Sequence, residues 1–213
     1  MAERIRFYFD PICPWSYQTS RWARRLAELG QVELDWGLFS LEIQNAEQES
    51  EASARSHSRS GLALRTAVLV RRRAGGDGVG ALYGALGERF FERGEPLEEV
   101  ATVEAALADA GLDPRLAVQA GRDDALWEEV MADHRELVER TQSFGVPTIV
   151  LDGGDGPAMF GPVISRLPAS DEEALELFRH VVWLVRYENF SELKRGRSEP
   201  PDLEAVRAGL LGR

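Results

Sequence analysis

Between Ile5 and Leu38 the hydrophobic period changes twice, and this restricts the fold more than any other feature of the chain. Ile5, Phe7 and Phe9 alternate with Arg6 and Tyr8, the period of a strand, until Pro11 ends the run. From Pro14 onward Trp22, Leu26 and Leu29 recur at i, i+4 and i+7, the period of a helix, and Gly30 supplies a stop. Val32, Leu34, Trp36 and Leu38 then return to alternation. A strand, a helix and a second strand in this order make a βαβ unit, whose strands are parallel and joined by a right-handed crossover.

The rest of the chain is organised around that unit. Asn45 to Ser60 (NAEQESEASARSHSRS) lacks large apolar residues and reads as a mobile loop that borders the cleft. Helical patterns follow over Leu62–Ala74, Ala81–Arg93, Leu97–Ala110 and Ala125–Ser143, with glycines between them. Strand character returns at Thr148–Leu151 and Ala158–Phe160, separated by the turn-rich GGDG. Ser170 and Glu173 form a capping box for a helix running to about Tyr187, and Asp202–Leu211 reads as a short terminal helix. The order βαβ, helical insert, ββα is that of an α/β thioredoxin fold whose crossover has been enlarged by an all-α subdomain. It divides the chain into an N-terminal βαβ half (1–44), a polar loop and helical insertion (45–144), and a C-terminal ββα half with a tail (145–213).

Composition excludes several functions. The 213 residues are 44% hydrophobic and 29% charged, enough to bury a core. The net charge of −11 disfavours nucleic acid and anionic membranes as partners. No apolar run reaches the ~20 residues of a membrane span, and MAERIRFYFD has no signal region, so a cytoplasmic location is expected. Cys13 is the only cysteine, which excludes an internal disulfide. His57, His134 and His180 have no ligand-like spacing, so no metal is expected.

The chemistry concentrates at Cys13-Pro14-Trp15-Ser16, where the first strand gives way to the first helix. A lone cysteine is most often a small buried hydrophobe. At a helix N-terminus, however, unpaired N–H groups and the helix dipole favour a thiolate, so Cys13 is expected to be partly exposed with a pKa below the free value of ~8.5. Pro14 suits the first helical position, and Ser16, three residues on, is a possible donor to the sulfur. Trp15, Trp22 and Trp36 are candidates to line a pocket, with core packing the commoner role for the latter two. Arg71-Arg72-Arg73 reads as a solvated helix face.

Downstream, Phe144-Gly145-Val146-Pro147-Thr148-Ile149 resembles the cis-proline loop that faces the active cysteine in thioredoxin-fold proteins. With it, the chain resembles the DsbA-like thioredoxin superfamily. More narrowly it resembles the actinobacterial mycothiol-dependent nitroreductase branch, through Tyr8–Trp15, Thr19-Ser20-Arg21-Trp22, Phe160-Gly161-Pro162-Val163, Glu192–Arg195 and Ser198–Pro201. The charge composition agrees with a GC-rich source, since 25 residues are basic and only Lys194 among them is lysine. Members of that branch carry Cys-Pro-Trp-Cys, whereas position 16 here is Ser. A more distant similarity joins it to 2-hydroxychromene-2-carboxylate isomerase and kappa-class glutathione transferase.

The resemblance implies catalytic roles for Cys13 and Ser16 and thiol or substrate binding by Pro14, Trp15, Val146 and Pro147. It implies mycothiol or glutathione as a low-molecular-weight thiol, no metal, and a disulfide or electrophile as substrate, with an oligomer compatible. Three activities fit. The first is a monothiol oxidoreductase or thiol-dependent reductase of electrophilic or nitro compounds. The second is a non-redox isomerase or transferase, and the third is a thioredoxin-like binding protein without catalysis.

Overall fold

Strand β1 (Glu3–Phe9) pairs in parallel with β2 (Val32–Leu38) and antiparallel with β3 (Thr148–Leu151), which in turn pairs antiparallel with β4 (Ala158–Phe160). The sheet order is therefore β2-β1-β3-β4 in this computed structural model, which describes residues 2–46 and 58–211. The alternation in β1 sends Ile5, Phe7 and Phe9 into one large core and Tyr8 into a second, smaller cluster. Both faces of the sheet are thus covered.

Helix α1 (Pro14–Glu28) connects β1 to β2, with Pro14 in its first turn and Cys13 as its N-cap. It ends where Gly30 takes φ +69° and its N–H meets the Ala27 carbonyl at 2.9 Å. Its apolar side holds Trp22 and Leu26, and Trp22 Nε1 donates to the Ala174 carbonyl at 3.1 Å, tying α1 to the C-terminal helix. That helix (Asp171–Arg186) starts as a capping box: Ser170 Oγ accepts from the Glu173 N–H, and Glu173 Oε2 accepts from the Ala169 N–H.

The segment between the sheet halves begins with α2 (Leu41–Ala46), a short helix whose last two residues belong to the stretch expected to be loop. Residues 47–57 of the expected mobile cover lie outside the described residues. Ser58–Ser60 forms a 3-10 turn, and Ser60 is buried with Oγ donating to Asp10 Oδ2 at 3.3 Å.

Helix α3 (Gly61–Gly87) spans what the sequence suggests are two helices. Gly75 is its one non-helical position (φ 66°, ψ −162°), so the expected break shrinks to a kink. The glycine-rich stretch after it stays helical, and packing uses the missing side chains. A Cβ on Gly80 would lie 2.5 Å from Trp36 Nε1, so the helix could not approach β2 with alanine there. A π-helical turn follows (Glu88–Glu92), then α4 (Val100–Asp109), α5 (Arg115–Gly121) and α6 (Leu126–Thr141). Helix α5 is an addition to the expected set; seven residues give too little periodicity to read.

The C-terminal helix is α7, and the expected terminal helix is reduced to one turn, α8 (Glu204–Arg207). Phe9 stacks on Tyr83 with ring centroids 3.8 Å apart, and Trp36 meets Phe7 and Phe9 edge-on. Each large side chain buried here stabilises the fold by about 1.5–3 kcal/mol. Among the described residues, no helix is long and apolar enough to cross a membrane.

Candidate active site

Cys13 occupies the N-cap of α1 because β1 runs out at Asp10 and Pro11 bars further ladder pairing. Its sulfur accepts from the Ser16 N–H at 3.4 Å and donates to the Val146 carbonyl at 3.4 Å. The Val146–Pro147 bond is cis. Two hydroxyls, Ser143 Oγ and Thr148 Oγ1, converge on the Gly145 carbonyl at 3.0 and 2.8 Å, and the Gly161 N–H donates to the Pro147 carbonyl at 2.8 Å. The loop facing the sulfur is therefore fixed on both sides of Val146.

The expected partly exposed, acidified thiol is corrected by the structure. Cys13 is only 6% exposed, packed with Tyr8, Phe39, Leu137, Val146 and Val150. Burial pushes its pKa up to about 11, against the opposing hydrogen bonds from Ser16 and the backbone N–H of Trp15; the nearby Asp10 carboxylate adds to the rise. A helix N-terminus lowers a thiol pKa only as far as desolvation of the thiolate allows. Here desolvation is larger, and the sulfur rests as a thiol donating to a carbonyl.

Ser16 is fully buried. Its backbone N–H donates to the sulfur at 3.4 Å. The hydroxyl lies 3.1 Å from the Cys13 carbonyl, 3.3 Å from the Asp10 carbonyl and 3.0 Å from Tyr83 Oη. Tyr83 comes from α3, and burial holds its phenol well above the usual tyrosine range. Asp10 accepts from the Ile12 and Leu41 N–H groups at 3.1 and 2.8 Å and from Ser60, joining the ends of β1, β2 and α3 beneath the cysteine turn.

The remaining predicted residues separate. Pro14 and Trp15 stay partly exposed, and Trp15 packs against the Cys13 cluster with the Arg197 guanidinium 4.8 Å above its ring centroid. Trp22 and Trp36 are core residues. Arg71 forms a bidentate pair with Asp133 at 3.0 and 2.6 Å, Arg72 pairs with Glu129, and Arg73 reaches Gln119. His134 is buried, accepts from the Ser40 N–H and is pushed down to about 4 by burial; it is a packing residue. A cleft of about 750 Å³ between α1, β2 and α3 is lined by Arg24, Trp36 and Asp77, so Trp36 does border a cavity, but Cys13, Pro14, Trp15, Ser16, Val146 and Pro147 do not line it.

Asp10, Tyr83 and Arg197 escaped the sequence reading. Asp10 stands two residues before Ile12 in the motif itself and was the most legible of the three. Tyr83 and Arg197 approach from 67 and 182 positions away, and no local pattern marks them.

A cysteine capping the first helix of a thioredoxin fold, opposite a cis-proline loop, marks the chain as a thioredoxin-fold protein with a single thiol at the start of its first helix. Within that fold the chain belongs to the Rv2466c-like family, described as mycothiol-dependent nitroreductase Rv2466c, which it matches over residues 12–195. It is 32% identical over 208 residues to the uncharacterized protein Rv2286c of Mycobacterium tuberculosis, covering 97% of this chain and 87% of that protein. The fold is similar to that of the cytosolic disulfide reductase DsbM from Pseudomonas aeruginosa with GSH, at TM-score 0.58 and 16% identity over 84% of this chain and 99% of that one. It is also similar to 2-hydroxychromene-2-carboxylate isomerase, at TM-score 0.60 and 15% identity over 86% of this chain and 96% of that one.

Proposed function

We propose that this protein is a monothiol reductase of disulfide or electrophilic substrates, with Cys13 carrying the covalent step and mycothiol as its small-thiol partner. The observation that carries the reading is the Cys13 sulfur at the N-cap of α1, bonded to Val146 and followed at position 16 by a hydroxyl instead of a second thiol. The residues around it fit a small polar thiol. Val146 offers a backbone edge opposite the sulfur, Trp15 an apolar wall, and Arg197 hydrogen-bond donors at the rim.

For attack, the Cys13 proton leaves from its bond with the Val146 carbonyl to solvent, and the N–H of Ser16 remains to stabilise the thiolate. The sulfur then bonds to one atom of the substrate, and the leaving group departs with the electron pair of the broken bond. Ser16 cannot displace the adduct, and Tyr83 and the two nearby carbonyls hold its hydroxyl away from that task. For a disulfide substrate the Cys13 adduct is a mixed disulfide. The small thiol, losing its proton to solvent, attacks the adduct's sulfur; a new S–S bond forms as the Cys13 bond breaks, and Cys13 leaves as thiolate. A second small thiol then completes the two-electron reduction, leaving the small thiol as its disulfide.

Intact mass spectrometry after incubation with oxidised mycothiol tests this, with oxidised glutathione in parallel to test the choice of thiol. One mycothiol adduct is expected on the wild type and none on Cys13→Ser, and reduced mycothiol should remove it. Turnover with no added thiol would refute the monothiol mechanism and favour isomerase-type chemistry.

A further inference from the structure

We infer that Arg197, which lies over the Trp15 ring, selects substrates that carry a carboxylate or similar anion beside the reacting disulfide or electrophile. The inference rests on the reading of Cys13 as the reacting thiol.

Residues 191–200 are all exposed and follow α7 without regular structure, yet they are anchored at both ends. At one end the Phe190 N–H donates to the Tyr187 carbonyl at 2.9 Å. At the other, Glu199 pairs with Arg166 at 3.0 Å and its carbonyl accepts from Ser165 Oγ at 3.4 Å, while Leu203 is fully buried. The Ser165 carbonyl accepts both the Asp202 N–H at 2.8 Å and Gln18 Nε2 at 3.2 Å. Since Gln18 belongs to α1, the segment is tied to the helix that Cys13 caps.

Arg197 is where this segment meets the site. Its guanidinium lies over the Trp15 ring, and among the described residues it has neither an ion-pair nor a hydrogen-bond partner. Most arginines of the chain are used differently: Arg25, Arg71, Arg89 and Arg186 each hold one or two carboxylates. The cation–π contact holds the Arg197 guanidinium beside Trp15 while leaving its N–H groups available, which suits bidentate binding of a planar anion. Lys194 and Arg195 add two further charges without an ion-pair partner among the described residues.

The whole-chain charge points the other way. At −11 the protein repels anions at long range, and exposed charges are screened beyond about 8 Å at physiological salt. Any preference of Cys13 for an anionic reagent must therefore arise from groups close to the sulfur, and Arg197→Gln separates the guanidinium beside Trp15 from the N-terminus of α1. Asp10, whose carboxylate acts on the sulfur, is buried beneath the turn and bonded to Ile12, Leu41 and Ser60, so it does not neutralise this rim.

The test compares rates of Cys13 with two disulfides, dithiobis(nitrobenzoate), which carries two carboxylates, and neutral dithiodipyridine. Either reagent forms one S–S bond to Cys13 and releases one aromatic thiolate, and the thiol proton goes to solvent. The chain has no other cysteine, so the released thiolate reports only this site. In the wild type the rate ratio of anionic to neutral reagent should fall with added salt. In Arg197→Gln the ratio at low salt should drop about fivefold, and the Lys194→Gln/Arg195→Gln pair should lower it less.

A strap that merely shields the sulfur would, on losing Arg197, change both rates alike and leave the ratio unmoved, which would overturn the inference while Cys13 keeps its role. No reaction with either reagent would overturn the Cys13 reading and this inference with it. A ratio that is insensitive to salt in the wild type would also count against it.

Discussion

The pH dependence of Cys13 reactivity separates a buried thiol from an activated one. With a pKa of about 11, only ~0.03% of the sulfur is thiolate at pH 7.5, against ~10% for a free cysteine titrating at ~8.5. Alkylation by iodoacetamide should therefore run roughly 300-fold below a free thiol at pH 7.5 from ionisation alone. Steric shielding slows the reaction further, but by the same factor at every pH, so the profile isolates the ionisation. The rate should climb about tenfold per pH unit to beyond pH 10.

The same group links to stability. Its folded pKa lies above the unfolded value, so its contribution is whole below ~8.5 and is lost as pH rises toward about 11, where the unfolded chain has released a proton that the folded chain keeps. The loss is about 3 kcal/mol. Urea unfolding at pH 8 and pH 10.5, with Cys13→Ala to subtract the tyrosines, should read about 2 kcal/mol of it. An alkylation plateau below pH ~8.5 would refute the reasoning, because the helix N-terminus would then outweigh desolvation.

Two further outcomes follow from the same geometry. Ser16→Cys places a second thiol one helical turn from Cys13, and mild oxidation should give a species lighter by two hydrogens with dithiol reductase activity; a mass unchanged by oxidation would mean that residues 13–16 are not arranged as an active turn. His134, buried and pushed down to about 4, stays neutral in the fold while the unfolded chain takes up a proton below ~6.5, so stability should fall by about 3 kcal/mol between pH 6.5 and 4, and His134→Gln, which can still accept from Ser40, should flatten that slope in acid unfolding.

What the chain declares by itself is what nearest neighbours along it can enforce. The two changes of period around Pro14 place β1, α1 and β2; the Ser170 box starts α7; and Gly30 stops α1, because strand alternation, helix periodicity and caps are each satisfied within a few residues. The same local grammar puts Cys13 at a helix N-terminus. Tertiary structure alone decides what that position means for the sulfur. Leu137, Val146 and Val150 come from over 120 positions away to bury it, and their desolvation reverses the sign of the pKa shift that the helix end suggests. Tyr83 on Ser16 and Arg197 on Trp15 are likewise contacts across the fold, as is the close approach of Gly76 and Gly80 in α3 to Asp35 and Trp36 of β2, which leaves no room for a Cβ. Burial, charge pairing and close backbone approach depend on which distant residues converge, and one-dimensional spacing carries no record of that.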